Sequence, residues 1–116
     1  MEQIYPDLDQ RIYDMSEGDV EFQKELTLAI YHGLAELKEK YGEGSSEKDD
    51  LKIQQIRHKM KPTLSMFEFS QIIEELQIGK EIIESEGFDG AIFEAHYQNL
   101  QEKLDIAIKR VYDLTQ

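Results

Sequence analysis

Apolar residues recur every three or four positions in four long segments of this chain, and short runs rich in glycine, serine and acidic residues separate the segments. That period is helical: successive side chains lie about 100° apart, so such residues share one face. The first segment carries Phe22, Leu26, Ala29, Ile30, Gly33, Leu34, Leu37 and Tyr41 behind Asp19, a residue suited to accept the free amides at a helix start. Gly42-Glu43-Gly44-Ser45-Ser46 is expected to end that helix and form the clearest loop, after which Ser46 and Asp49 signal a new start. A second helix is expected from near Lys48 to about Met66. A third should begin at Phe67 or Glu68 and stop by Gly87, burying Phe69, Ile72, Ile73, Leu76, Ile82 and Ile83. The last follows Asp89-Gly90 and buries Tyr97, Leu100, Leu104, Ala107, Ile108, Val111 and Leu114. Ahead of all four, Tyr5-Pro6 predicts a turn, and Leu8, Ile12 and Met15 a brief helix halted by Gly18.

Four amphipathic helices on short loops can bury their stripes only against one another. The expected fold is therefore all-α: an antiparallel up-and-down four-helix bundle with a short N-terminal capping helix. It is read as one domain over residues 1–116, with its core in about 8–114. No internal repeat is visible, and two prolines leave the helical reading intact.

Composition excludes several functions. With 25 acidic and 13 basic residues the formal net charge is -12, which repels nucleic acid phosphates. The one basic stretch lacks the interleaved aromatics of a base-stacking surface, so no nucleic acid partner is expected. There is no cysteine, hence no disulfide framework, thiolate nucleophile or cysteine zinc site, in keeping with a cytoplasmic location. No run of about 18 apolar residues and no basic-then-apolar leader points to a membrane or to export. No glycine-rich phosphate cradle is present, which argues against an ATP-using kinase. His32 and His96 lack the glutamate three residues earlier that a di-iron bundle needs, and no metal is expected on the chain.

The second helix carries the chemistry. Its spacing puts Ile53, Ile56, Met60, Thr63, Leu64 and Phe67 on one side and Leu51, Gln54, His58, Lys61, Pro62 and Ser65 on the other. From Leu51 to Phe67 there are four basic residues, Lys52, Arg57, Lys59 and Lys61, and no acidic one. A solvent-facing imidazole thus sits in a local positive patch. His58-Lys59-Met60-Lys61 resembles the His-x-Leu-Lys-Gly core of histidine-containing phosphotransfer domains. Ser16-Glu17-Gly18-Asp19-Val20-Glu21-Phe22 with Glu25-Leu26 upstream, and Phe67 to Leu76 downstream, are similar to the flanking helices of that family over nearly the whole chain. Pro62 departs from it, standing where the family usually has glycine.

The resemblance implies a phosphorelay intermediate of a two-component system. His58 would accept a phosphoryl group through Nε2 from an aspartyl phosphate on a response-regulator receiver domain, free or within a hybrid histidine kinase, and pass it on. A neutral imidazole nitrogen is a competent nucleophile toward an acyl phosphate. Lys61, one turn on, would pair with the phosphoryl oxygens. Gln54, one turn back, would orient the imidazole through Nδ1, and Arg57 and Lys59 would steer an acidic partner. Gln77 and Lys80, on the helix folding back beside the second, would approach the histidine. Pro62 removes the amide that would donate to the His58 carbonyl, a kink or a substitute for the glycine's close approach. No cofactor is expected on the chain, Mg²⁺ belonging to the receiver, and the default state is a monomer. Two other readings stand beside the carrier: a noncatalytic pseudo-phosphotransfer module, and a histidine-kinase dimerisation segment.

Overall fold

The computed structural model describes residues 5–116, so residues 1–4 of the expected domain lie outside the described residues. Five helices occur, with no strand among the described residues: α1 Leu8–Met15, α2 Val20–Glu47, α3 Asp50–Met66, α4 Ser70–Glu86 and α5 Ala91–Leu114. At about 1.5 Å per residue the 28 residues of α2 reach about 42 Å, close to the 46 Å long dimension, so α2 runs along the long axis. α2 packs on α3 and α5, and α4 packs on α3 and α5, which closes a ring of helices around one core. α1 lies against α2, and its Leu8 and Ile12 are sealed in that core.

Asp19 starts α2 as its sequence predicts: its carboxylate accepts from the Phe22 amide at 3.0 Å. Asp49 does the same for α3, accepting from the Lys52 amide at 3.1 Å. Gly18 and Gly87 end α1 and α4 at φ +78° and +77°.

Three expectations are corrected. Gly42 to Ser46 is no loop, for α2 continues through it to Glu47. The helix is held there by packing, with Gly44 buried against Ile53, and by Ser45 Oγ donating to the Tyr41 carbonyl at 2.8 Å. The reversal falls instead on Lys48, at φ +56°, where the Asp49 amide donates to the Gly44 carbonyl at 2.8 Å. Glu68, at φ +53°, makes the matching turn between α3 and α4, the Phe69 amide donating to Leu64 at 2.9 Å. A charged residue thus carries the left-handed conformation at both turns, and no glycine marks either in the sequence. Second, Phe22 and Ala29 are exposed, and Thr27 is buried in their place with Oγ1 donating to the Gln23 carbonyl. Third, Ile73 is 39% exposed and lies outside the core stripe of α4.

α3 behaves as its periodicity requires. Ile53, Ile56, Met60 and Leu64 are buried, while His58, Lys61, Pro62 and Ser65 are exposed. No described helix is long and apolar enough to cross a membrane.

Gly42 and Gly44, near the end of α2, should respond oppositely to alanine. A Cβ at Gly44 would stand 2.6 Å from Ile53 Cγ1 and 3.2 Å from the Asp49 carbonyl oxygen, neither of which can yield freely. Gly44→Ala is expected to cost about 1–3 kcal/mol in urea unfolding. At Gly42 the nearest atom is the movable Tyr97 hydroxyl, at 3.1 Å, so Gly42→Ala should be neutral or stabilising by up to ~1 kcal/mol.

Candidate functional site

An open groove of about 180 Å³ runs between α3 and α4. α3 contributes Arg57, His58, Lys61 and Ser65; α4 contributes Gln77 and Lys80. The groove therefore brings together five of the residues singled out from the sequence, including both from α4. Its floor is apolar, formed by Leu64, Ile73 and Leu76, which explains the exposure of Ile73.

The other three lie elsewhere. Gln54 donates its carboxamide N–H to Asp50 Oδ2 at 2.8 Å, one turn back along α3, so this N–H is turned to a carboxylate of its own helix. Lys59 pairs with Glu36 at 2.7 Å across the α2–α3 contact and lines a separate shallow cleft. Pro62 is exposed within α3, which continues past it to Met66.

Charge distribution separates this groove from the rest of the surface. Among the described residues, every lysine and arginine but Arg57, Lys61 and Lys80 lies within ion-pair distance of a carboxylate. The three that lack an acidic partner all line the same groove as His58. In a chain with about two acidic residues for each basic one, such a concentration leaves a localised positive field open to an incoming anion. No hydrogen bond or ion pair within the described residues engages the His58 imidazole either. The arrangement offers a free nucleophilic nitrogen beside three free cations.

A second polar cluster, unseen in the sequence, lies on the inner side of α4. His96 Nδ1 is 2.7 Å from Glu75 Oε2, and Lys103 Nζ donates to Glu75 Oε1 at 2.8 Å. The carboxylate can only accept, so Nδ1 carries a hydrogen and donates to it. The Tyr41 hydroxyl completes the chain at Nε2, 2.7 Å away. Burial pushes the Tyr41 hydroxyl pKa up, keeping the phenol protonated. Burial also works to raise Glu75, but the hydrogen bonds from Lys103 and His96 outweigh it and hold the carboxyl below its ordinary 4.5. Gly79 makes room for the cluster, since a Cβ there would fall 2.3 Å from His96 Nε2. The available signals were a glycine inside a predicted helix and a histidine four residues before Leu100 on the α5 stripe. Among the described residues no three His, Cys, Asp or Glu side chains converge as a metal site would require.

Comparison with known proteins finds no matching family model, no matching curated protein and no matching solved structure.

Glu75 makes stability pH-dependent with a defined sign. Its folded pKa lies below the unfolded value, so its contribution is fully present above 4.5 and is lost as pH falls through the lowered folded value. Glu75→Gln should destabilise the protein by about 1–3 kcal/mol at neutral pH. The gap from wild type should close in denaturation series taken below pH 4.5.

Proposed function

We propose that this protein is a phosphohistidine carrier that exchanges a phosphoryl group between His58 and the aspartate of a receiver domain. The observation that carries the proposal is the clustering of the unpaired cations Arg57, Lys61 and Lys80 around an exposed, unengaged histidine. The resemblance of His58-Lys59-Met60-Lys61 to the phosphotransfer motif supports the same reading, as does a fold with helices and no strand among the described residues. The finer architecture belongs to the proposal: α2 to α5 form an antiparallel up-and-down four-helix bundle, with α1 as a cap.

Transfer in this scheme needs positioning and charge neutralisation more than covalent machinery. Nε2 of His58 attacks phosphorus, the bond to the aspartyl oxygen breaks, and the aspartate carboxylate leaves with the electron pair. Lys61 and Lys80 hold the equatorial oxygens from the two sides of the groove, and Gln77, one of whose carboxamide hydrogens goes to Glu81 at 3.4 Å, offers the other. Arg57, one residue before the histidine, adds a third charge close in, a stronger role than steering alone. Lys59, paired with Glu36, contributes to the long-range field. The receiver brings Mg²⁺, so the chain needs no cofactor of its own. The partner is a receiver, free or within a hybrid histidine kinase; the carrier acts as a cytoplasmic monomer with no nucleic acid or membrane partner. A dimerisation segment fits less well, because all five helices of one chain feed a single core.

One feature favours a noncatalytic receiver-binding module instead: Pro62 occupies the place of the family's glycine, one turn beyond His58. Incubation with phosphorylated receivers distinguishes the two. Wild type should acquire acid-labile label, His58→Gln none, and Lys61→Ala should react roughly tenfold more slowly, the worth of one charge-assisted hydrogen bond. Receiver binding without label on wild type, restored by Pro62→Gly, would assign the protein to the noncatalytic class.

A further inference from the structure

We infer that the groove also accepts a short-chain acyl phosphate directly, so that His58 can be phosphorylated by a small molecule without a protein donor. The inference rests on the carrier reading and extends it to a second class of donor. An aspartyl phosphate is itself an acyl phosphate, and three features of the groove suit the same reactive group in free form.

The first is charge. A dianionic phosphoryl group is ordinarily brought to its acceptor with a metal ion, yet Arg57, Lys61 and Lys80 present three positive charges that no carboxylate pairs with. The second is the floor. Ile73 is 39% exposed in the groove beside Leu64 and Leu76, an apolar strip next to the cations. Docking of a charged group alone gives that strip nothing to contact, whereas a short alkyl chain on the leaving carboxylate would cover it. The third is size. A volume of about 180 Å³ falls below the roughly 300 Å³ at which pockets for drug-sized ligands begin, and leaves room for a phosphoryl group with a chain of a few carbons.

The step balances without a co-reactant. Nε2 of His58 forms the N–P bond with its lone pair, the P–O bond to the acyl oxygen breaks, and the short-chain carboxylate leaves with that electron pair. The Nδ1 proton then passes to solvent. His32 provides an internal reference: it is exposed on α2, outside the groove, and shares no cation with it.

The test is labelling of the full chain by acetyl phosphate and by butyryl phosphate in buffer containing a metal chelator, with each phosphohistidine located by mass spectrometry. A parallel reaction uses phosphorylated receivers with Mg²⁺. His58 should label at least about tenfold faster than His32, and Lys80→Ala should slow it by about the same factor. Butyryl phosphate should outpace acetyl phosphate, and Ile73→Ser should remove that preference while helical content stays unchanged. Equal labelling of His58 and His32 would overturn the inference, since it would mark background imidazole chemistry. Label from receivers but none from either acyl phosphate would overturn it while leaving the carrier intact. No label from any donor would remove both.

Discussion

The rotational setting of α3 is the constraint on which the rest of the structure depends. Ile53, Ile56, Met60 and Leu64 are spaced so that one face of the helix is entirely buried, and each such side chain contributes on the order of 1.5–3 kcal/mol by leaving water. The same spacing forces Arg57, His58 and Lys61 outward. Turning α3 by one residue would drive charged groups into an apolar core at a cost of several kcal/mol each. Gly33 on α2 leaves space for the end of the Met60 side chain, whose Cε would stand 2.9 Å from a Cβ there. The make-up of the groove is thus a by-product of burial: the histidine is exposed because its neighbours cannot be.

The opposite wall of the groove is set from within. Glu75 and Gly79 face inward from α4, where they meet His96, Tyr41 and Lys103, while Gln77 and Lys80 face out toward α3. α4 is consequently seated by hydrogen bonds that tolerate little displacement, and its outer residues inherit that placement. A buried polar chain of this kind does little for net stability compared with an apolar substitute, but it penalises alternative helix registers in which the carboxylate would lose its partners. The protein therefore combines a fully satisfied polar cluster inside with an unsatisfied one at the surface. Only the second is available to a ligand.

Much of this was legible in the residues, and the failures have identifiable causes. The two faces of α3 follow from periodicity alone, since an apolar stripe broken by basic residues has one favourable orientation. Asp19 was readable as a cap because a carboxylate at a helix start has one obvious use, whereas the start signalled by Ser46 with Asp49 is displaced: Ser46 lies inside α2, and Asp49 itself caps α3. Gly42 to Ser46 misled for the converse reason: glycine and serine favour turns locally, but Gly44 is needed for the approach of Ile53, and tertiary packing overrode the local preference. The true turns fall on Lys48 and Glu68, which carry no turn signal. Ile73 looked like core by spacing, but it lines the groove between α3 and α4 and is 39% exposed there. Gln77 and Lys80 lie about as far beyond the turn at Glu68 as His58 lies before it, and both line the groove. The Glu75–His96–Tyr41 chain joins three helices, and no spacing within one helix encodes such a meeting.

We propose His58, set among unpaired cations, as the atom-level site of phosphoryl transfer. The most direct measurement is nitrogen-detected NMR of the histidine rings before and after reaction with a phosphorylated receiver, read for phosphorus coupling at a single ring nitrogen. The account predicts coupling at Nε2 of His58, with the signals of His32 and His96 unchanged. Coupling at either of those two rings, or a fully phosphorylated receiver that leaves all three unaltered, would contradict it.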